Sequence, residues 1–228
     1  MDKKQEKNLT IGIVILAVLL IVVVLVPILS RLPSEYSYFG ADGIEYNISI
    51  DKHTGKPFHI VSFWVDYRTV NNAPQFRKEY KVPFEYGPEE LEDISLDENI
   101  DDLIFNKDKT KNIYITRDAQ LDIESDGKMA IAILTVQRIL STGVEPAAFK
   151  INTISALTEK NELTEDIDIP VRTCDDSGKN GRTIILFEKG DENRIYLTDN
   201  DCIILEFVTY DDAIAVATKL VYHLIGIF

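Results

Sequence analysis

The chain has 228 residues, of which 45% are hydrophobic, and the part that follows its N-terminal segment suits one domain or two small ones with a proper core. Its formal net charge is −14, with 38 acidic against 24 basic residues. A surface this acidic argues against binding nucleic acid or anionic lipid head groups.

The first feature along the chain is an uncharged run between Asn8 and Ser30. About 20 apolar residues cross the ~30 Å hydrocarbon layer as a helix, so we predict a transmembrane helix over residues 9–30. A cleaved signal peptide is the alternative, but its apolar region would be about 7–15 residues long and followed by a small-residue cleavage site. This run is longer and lacks such a site, which favours an uncleaved anchor in the lipid bilayer.

Positive charges beside the span predict its orientation. Lys3, Lys4 and Lys7 precede the span, whereas Arg31 alone follows it closely. We therefore expect residues 1–8 to form a cytoplasmic tail and the rest of the chain to lie outside. The predicted location is the cell membrane, with a single crossing and an extracytoplasmic C-terminal domain.

Residues 31–43, RLPSEYSYFGADG, are predicted to be a juxtamembrane linker because they contain proline, serine and glycine. The linker also contains three aromatic residues, Tyr36, Tyr38 and Phe39. These side chains could lie at the membrane interface, or they could begin a first strand. The folded domain is predicted to follow, over residues 44–228.

The first third of that domain predicts an antiparallel β-meander. Its three segments either alternate apolar and polar residues or are rich in β-branched and aromatic residues. The turn signals HTGKP and NNAP separate them. The predicted strands are 44–50, 58–70 and 76–86. The next stretch, residues 89–102, is the densest acidic run. We expect it to dock as short helical turns with its acids in water, and a cation-binding strip is the alternative.

The middle of the domain predicts a βαβ unit, because a helical pattern separates two short apolar segments. The first strand is expected over 112–118, the helix over 126–141 and the second strand over 147–153. The apolar residues of the helix run almost all the way round, so it is either heavily buried or contacts a partner.

The last third predicts three strands and a closing helix. The turn EKGDEN is expected to join 183–188 and 193–198 as a hairpin. A third strand is predicted over 202–207, and a helix over 210–226 begins with a capping box at Thr209. The fold class is therefore α+β: one transmembrane helix, then an antiparallel meander and a mixed sheet with two main helices.

No motif identifies a catalytic, cofactor or metal site. His53 and His59 flank a turn and could bind a metal together, but no zinc-ligand spacing accompanies them. His223 falls on an amphipathic helix, where a packed histidine is the ordinary interpretation. The fragments DDSGKNG and TDND lack the full calcium-loop pattern. Asn47 begins the glycosylation acceptor Asn-Ile-Ser, although it falls within a predicted strand.

Cys174 and Cys202 are the chain's two cysteines, and we predict that they form one structural disulfide. Disulfides persist outside the cytoplasm, and zinc would need two further ligands. The acids beside both cysteines disfavour thiolates, which argues against a reactive pair. The bond would contribute about 3–4 kcal/mol on the chain-entropy model. Two unpaired thiols are the alternative, and a cytoplasmic location of the domain would favour it.

The order of the segments VPFEYGPEELEDISL, NIYITRD, IPVRTCDD, NRIYLTDNDCIILEF and KLVYHLIGIF resembles a group of small, single-span archaeal membrane proteins. In that group a Thr-Cys-Asp element, a Gly-Asn-Glu-type hairpin and an Asn-Cys-Ile strand precede a final helix that ends in Leu-Gly-Ile. The resemblance covers most of residues 36–228, with small departures at KGDENRIY and LIGIF. It implies an anchor and paired cysteines, and it adds no catalytic residue.

Two functions remain open from the sequence. The first is a membrane-anchored extracytoplasmic binding or scaffold domain with protein partners in the membrane or envelope. The second is an envelope enzyme, either a hydrolase or a thiol oxidoreductase. The missing catalytic signatures and the absence of a Cys-x-x-Cys pair favour the first over the second.

Overall fold

Two β-sheets and a layer of helices make up the described structure, which is a computed structural model. The structure describes residues 15–16, 18–23, 34–41, 43–51, 57–67, 76–105, 112–119, 123–162 and 164–228.

The first sheet is an antiparallel meander whose four strands follow chain order. The strands are β1 (Ser34–Phe39), β2 (Glu45–Asp51), β3 (Phe58–Tyr67) and β4 (Phe76–Phe84). In β2, Tyr46 and Ile48 are buried while Glu45 and Asn47 are exposed, so one face is packed and the other is solvated. The predicted meander is confirmed. β1 falls inside the predicted linker 31–43, so a first strand is the alternative that the structure adopts.

The acidic run forms short elements on the domain surface. They are a 3₁₀ turn (Pro88–Leu91), β5 (Ser95–Leu96) and α1 (Ile100–Phe105). Leu91 and Ile100 are fully buried, whereas most of the acidic side chains between them are exposed. The prediction that this run docks as short helical turns with its acids in water is confirmed.

The second sheet is mixed and contains the remaining strands. These are β6 (Asn112–Arg117), β7 (Thr153–Leu157), β8 (Arg182–Lys189), β9 (Arg194–Leu197) and β10 (Cys202–Phe207). The order across the sheet is β5-β9-β10-β8-β6-β7. Strands β10, β8, β6 and β7 are mutually parallel, β5 is parallel to β9, and β9 is antiparallel to β10.

The predicted hairpin between 183–188 and 193–198 is wrong, because β10 lies between β8 and β9. The connection arcs over the end of β10, where the Gly190 N–H donates to the Phe207 carbonyl at 2.9 Å. All six residues of β10 are buried. A strand whose side chains are all buried is stabilised most in the centre of a sheet. The β8–β9 connection therefore spans β10 and does not form a tight hairpin.

The second strand of the predicted βαβ unit is misplaced. The predicted strand 147–153 overlaps β7 only at Thr153. The residues before Thr153 cannot form a strand, because Ala147 and Lys150 have left-handed φ values of 53° and 56°. Parallel pairing of β6 with β7 nevertheless confirms the βαβ unit itself. Its helix is α2 (Ile123–Leu140), close to the predicted 126–141.

The closing helix is α3 (Tyr210–Leu224), and its predicted capping box is confirmed. The Thr209 backbone N–H donates to Asp212 Oδ2 at 2.9 Å, and the Asp212 N–H donates to Thr209 Oγ1 at 3.3 Å. The sequence predicts an amphipathic helix, but every residue over 213–222 is buried, on all sides of the helix.

Burial on all sides arises because α3 lies between the two sheets. On one side it packs against β10. On the other, the Tyr222 ring contacts Phe84 of β4 with ring centroids 4.8 Å apart, and the Tyr222 hydroxyl donates to the Tyr86 carbonyl at 2.7 Å. One apolar core therefore joins the two sheets through the helix layer.

Most of the predicted transmembrane helix, residues 9–30, and all of the tail 1–8 lie outside the described residues. Within that run Ile15, Leu16 and residues 18–23 are helical. Among the helices of the described part of the chain, none has both the length and the apolarity needed to cross a bilayer.

Candidate functional site

The carboxyl ends of the parallel strands in the mixed sheet all lie at one edge. At this edge the connections that leave neighbouring strands run in opposite directions across the sheet. After β6 the chain continues through α2 to β7 on one side, whereas β8 lies on the other side of β6 and leads onward to β10. In open sheets of this kind, ligands bind outside the carboxyl ends of the strands at such a reversal. The edge that β6 and β8 share is therefore the first place to look for a site.

A cavity of about 260 Å³ opens at this edge. It has an apolar part, formed by Met129, Leu186, Phe187 and Phe207, and a polar part, formed by Asp118, Thr158, Glu188, Lys189 and Tyr210. Apolar walls with a few polar groups are typical of small-molecule sites.

Each lining group is placed by the element that carries it. Asp118 directly follows β6 and Thr158 directly follows β7. The Thr158 N–H donates to the Arg117 carbonyl at 2.9 Å, which holds these two strand ends together. Met129 of α2 is 1% exposed and Phe207 of β10 is 2% exposed, so both belong to the rigid core behind the cavity.

Two ion pairs fix the helices around the cavity. Arg117 Nη2 lies 2.6 Å from Asp126 Oδ1, which ties the end of β6 to the first turns of α2. Lys128 Nζ lies 2.8 Å from Asp211 Oδ2, which ties α2 to the start of α3. Both acids are near helix N-termini, where negative charge is favourable.

Lys189 supplies a further positive charge at the mouth of the cavity. Its Nζ lies 5.4 Å from the centroid of the Tyr210 ring. Among the described residues, no carboxylate lies within ion-pair distance of this ammonium group. The mouth therefore offers a cation and a tyrosine ring close to the acidic Asp118 and Glu188.

A second polar cluster joins the meander to the acidic run. Tyr36 Oη lies 3.1 Å from His59 Nδ1, and His59 Nε2 lies 3.3 Å from Glu90 Oε2. Glu90 also accepts the Gly87 N–H at 2.6 Å. Burial lowers the pKa of His59, although Glu90 and Glu89 oppose that effect. Burial, together with the same two acids, raises the pKa of Tyr36 to about 12.

The pKa directions make neutral Tyr36 and His59 the favoured forms near pH 7, with Tyr36 donating to Nδ1 and His59 donating to Glu90. A proton can shuttle along such a chain, but its geometry serves equally to clamp β1 and β3 to the 3₁₀ turn. The three residues are far apart in sequence, so no local pattern could have revealed the cluster. His53, the possible metal partner of His59, lies outside the described residues.

Two buried charged residues were also missed by sequence reasoning. Burial would raise the pKa of Glu206, but hydrogen bonds from Arg194 Nε at 2.7 Å and from the Asp191 N–H at 3.1 Å hold it below its ordinary value. Lys219 of α3 is 5% exposed and lies over the Phe228 ring. Burial lowers the pKa of Lys219 to about 8, against a smaller opposing effect of Glu92.

The two cysteines lie at disulfide-bonding distance, as predicted. The Sγ atoms of Cys174 and Cys202 are 2.12 Å apart and their Cα atoms 5.3 Å apart. Cys202 opens β10 and is fully buried, whereas Cys174 begins a 3₁₀ turn. In the segment before Cys174, Val171 forms an isolated bridge with Leu157. The bond joins the loop between β7 and β8 to the sheet face away from the helices.

The remaining sequence candidates are not brought together into a site. His223 Nδ1 lies 2.9 Å from the Phe228 carbonyl, and its Nε2 lies 4.0 Å from Asp101, so it packs near the C-terminus. Asn47 faces solvent on β2. Within the described residues, no group of three or more histidine, cysteine or acidic side chains could hold a metal ion.

The cavity between Asp118, Met129, Lys189 and Tyr210, called here the carboxyl-end cavity, is the arrangement best suited to binding a small molecule. Its apolar walls can exclude water, and its mouth offers charges of both signs. Comparison of the chain with protein-family models, with curated proteins and with solved structures finds no match in any of the three.

Proposed function

We propose that this protein is a single-pass membrane protein whose extracytoplasmic α+β domain binds a small organic ligand in the carboxyl-end cavity. The observation that carries the binding function is the position of that cavity, at the point where the parallel sheet reverses direction. A ligand would place its apolar part against Met129 and Phe207 and its polar groups near Lys189.

The membrane anchor rests on the uncharged run 9–30 and on the three lysines before it. The described helical residues of this run support it, because all eight are apolar and 47–67% exposed. They are Ile15, Leu16, Val18, Leu19, Leu20, Ile21, Val22 and Val23. The resemblance to single-span archaeal membrane proteins points the same way. It also favours an outside location for Cys174 and Cys202.

A protein partner is also part of the proposal. Ile131 and Leu134 are neighbours on one face of α2 and are 44% and 48% exposed. Apolar neighbours of this kind on a surface helix support a contact with another membrane or envelope protein. The Ile131→Lys, Leu134→Lys double variant should lose a partner that co-purifies with the wild-type chain.

Ligand binding is tested on the detergent-solubilised full chain by ligand-observed NMR with a library of small amphiphilic fragments. Thr158→Tyr narrows the mouth of the cavity and should abolish binding of the fragments that bind wild type. Ser95→Tyr adds the same group at an exposed edge position and should leave binding unchanged. Fragments that bind the Thr158→Tyr variant as well as they bind wild type would contradict the assignment of the cavity.

Topology is tested by adding protease to intact cells that express a C-terminally tagged chain. Loss of the tag is expected if the domain is outside. Protection of the tag until the cells are lysed would contradict the orientation.

A second candidate function is an envelope hydrolase, favoured by the convergence of Asp118, Thr158, Lys189 and Tyr210 on one cavity. Hydrolysis of a panel of ester substrates, lost in Lys189→Met, would support it. A thiol oxidoreductase is disfavoured, because the two cysteines are 28 residues apart and Cys202 is fully buried.

A further inference from the structure

The solvent-facing side of the meander contains an acceptor pattern that the ligand cavity does not use. Asn47, Ile48 and Ser49 form the pattern Asn-x-Ser, in which x is not proline. In β2, Asn47 is exposed and Ile48 is 0% exposed. Because side chains alternate along a strand, Asn47 and Ser49 point outward together while Ile48 anchors the strand in the core.

The surroundings of Asn47 leave room for a large substituent. Its cross-strand partner on β1 is Ser37, a small residue. Asn47 and Ser62 also line a depression of about 310 Å³. No described residue makes a hydrogen bond to the Asn47 side chain, so no bond within the described structure would be lost on modification.

The same depression contains an aromatic surface suited to a sugar ring. Trp64 lines it and is 53% exposed. Arg77 covers one face of the indole, with its guanidinium carbon 5.3 Å from the ring centroid, so a sugar would pack against the part of the ring that Arg77 leaves exposed. An aromatic face presents apolar area against which the C–H groups of a sugar pack. Glu45 and Glu79 add hydrogen-bond acceptors for hydroxyl groups around it.

We propose that Asn47 is an N-glycosylation site and that the first sugars of its glycan lie against Trp64. The inference rests on the proposed extracytoplasmic location of the domain. The co-substrate is an oligosaccharide linked through phosphate to a long isoprenoid alcohol. The Asn47 amide nitrogen forms a bond to the anomeric carbon and loses one proton. The bond between that carbon and the phosphate oxygen breaks, and the isoprenoid phosphate leaves.

The chain contains an internal control for topology. Asn8, Leu9 and Thr10 form a second acceptor pattern, in which Asn8 ends the predicted cytoplasmic tail while Leu9 and Thr10 begin the predicted span. If residues 1–8 remain in the cytoplasm, Asn8 stays unmodified while Asn47 is modified. A glycan on Asn8 would therefore indicate a reversed topology.

The experiment expresses the full chain in cells that glycosylate secreted proteins and identifies modified peptides by mass spectrometry. A glycan on the peptide that contains Asn47 is expected. It should be lost in Asn47→Gln and in Ser49→Ala, which retains the asparagine. Asn99→Gln changes an exposed asparagine outside any acceptor pattern and should leave the glycan in place.

Each other outcome overturns the proposal in a recognisable way. An unmodified Asn47 in a domain that external protease cleaves refutes the glycan and leaves the proposed topology intact. An unmodified Asn47 in a protected domain refutes both, and so does a glycan on Asn8.

The contact with Trp64 has its own measurement, because Trp64 is the single tryptophan of the chain. Enzymatic removal of the glycan from the folded protein should expose the indole to water and shift its fluorescence emission to longer wavelength. An unchanged emission spectrum would show that the sugars do not lie against Trp64.

Discussion

The two faces of the mixed sheet are covered in different ways. On one face, Ile113, Ile185 and Ile203 are fully buried beneath α2 and α3, and the antiparallel sheet closes the far side of that helix layer. On the other face the buried cluster is much smaller, and the cover is the irregular chain around the 3₁₀ turn at Cys174. Helices and a second sheet cover one face, while a loop and a disulfide cover the other.

The comparison shows what holds a cover in place when little apolar surface lies beneath it. Hydrophobic stabilisation is roughly proportional to the apolar area removed from water, so the small cluster contributes much less than the helix-side core. A loop also loses conformational entropy when it is ordered, without the regular hydrogen bonds of a helix to offset the loss. The disulfide reduces that entropic cost by restricting the unfolded chain.

The sharpest test of the comparison uses two neighbours on β8 that point to opposite faces. Ile185 belongs to the helix-side core and Ile184 to the smaller cluster, and both are 0% exposed. Ile185→Ala should lower the free energy of unfolding by about 4 kcal/mol, and Ile184→Ala by about 2 kcal/mol. The difference arises because the loop can collapse into the new cavity, whereas the helix layer is held by a second sheet.

Urea denaturation of both variants under oxidising conditions measures the two costs. Equal costs, or a larger cost for Ile184→Ala, would show that the loop is held as rigidly as the helices.

The second prediction removes the disulfide. The Cys174→Ala, Cys202→Ala double variant should lose about 3–4 kcal/mol of stability, because the unfolded chain is no longer cross-linked. Hydrogen exchange should accelerate first in the loop between β7 and β8 and only later in α3. Reductant should destabilise wild type and leave the double variant unchanged; uniform acceleration over both faces would contradict the local role.

The third prediction concerns Glu206, which holds the β8–β9 connection over the end of β10. Glu206→Gln should cost about 1–2 kcal/mol near pH 7, because the charged acceptor of Arg194 and of the Asp191 N–H is lost. The folded state holds the pKa of Glu206 below its ordinary 4.5. Its contribution is therefore present above pH 4.5 and is lost as the pH falls below it.

Unfolding curves of wild type and Glu206→Gln from about pH 3 to about pH 7 test this dependence, because that range extends on both sides of the ordinary pKa of 4.5. The stabilities of the two proteins should converge at the acidic end. A difference that stays constant with pH would mean that the carboxylate charge is not involved.

The fourth prediction concerns the one buried lysine of the helix layer among the described residues. The pKa of Lys219 falls from 10.5 to about 8 in the folded protein, so the unfolded chain binds more protons between these values. The contribution of Lys219 to stability should therefore rise as the pH rises from about 8 to 10.5. Lys219→Met should remove this rise and stabilise the protein by about 1 kcal/mol near pH 7.

The measurement is the difference in melting temperature between wild type and Lys219→Met across that pH range. The difference should shrink as the pH rises. A variant that is less stable than wild type at every pH would show that the ammonium group over the Phe228 ring is favourable.

The smallest expected change in stability comes from a substitution on the solvent side of α2. No atom outside the local helix backbone lies within 4 Å of the position that a Cβ of Gly127 would occupy, so Gly127→Ala should stabilise the helix by about 0.5–1 kcal/mol. Gly87 is the matched contrast, because a Cβ there would lie 2.7 Å from Tyr36 Oη and 2.8 Å from His59. Gly87→Ala should destabilise the clamp between β1, β3 and the 3₁₀ turn.

Thermal unfolding of both glycine variants shows directly whether each substitution raises or lowers the melting temperature. Stabilisation by Gly87→Ala would mean that the His59 cluster is loosely packed and can move aside.

Local pattern was enough to predict the meander and the two main helices. The alternation of polar and apolar residues around Tyr46 and Ile48 predicts a strand with one buried face, and the capping box at Thr209 predicts the start of α3. Both signals lie within a few residues of chain, where backbone geometry dictates which side chains share a face. The cysteine pairing was also predictable, because two cysteines allow one connectivity.

The position of β10 between β8 and β9, and the carboxyl-end cavity that follows from strand order, required the tertiary structure. A turn sequence such as EKGDEN fits a hairpin equally well, and only competition for the most buried place in the sheet decides which strands pair. The Tyr36–His59–Glu90 cluster is likewise assembled from three distant segments. Sequence periodicity determines which face of an element is apolar, whereas the packing of whole elements decides which distant polar groups meet.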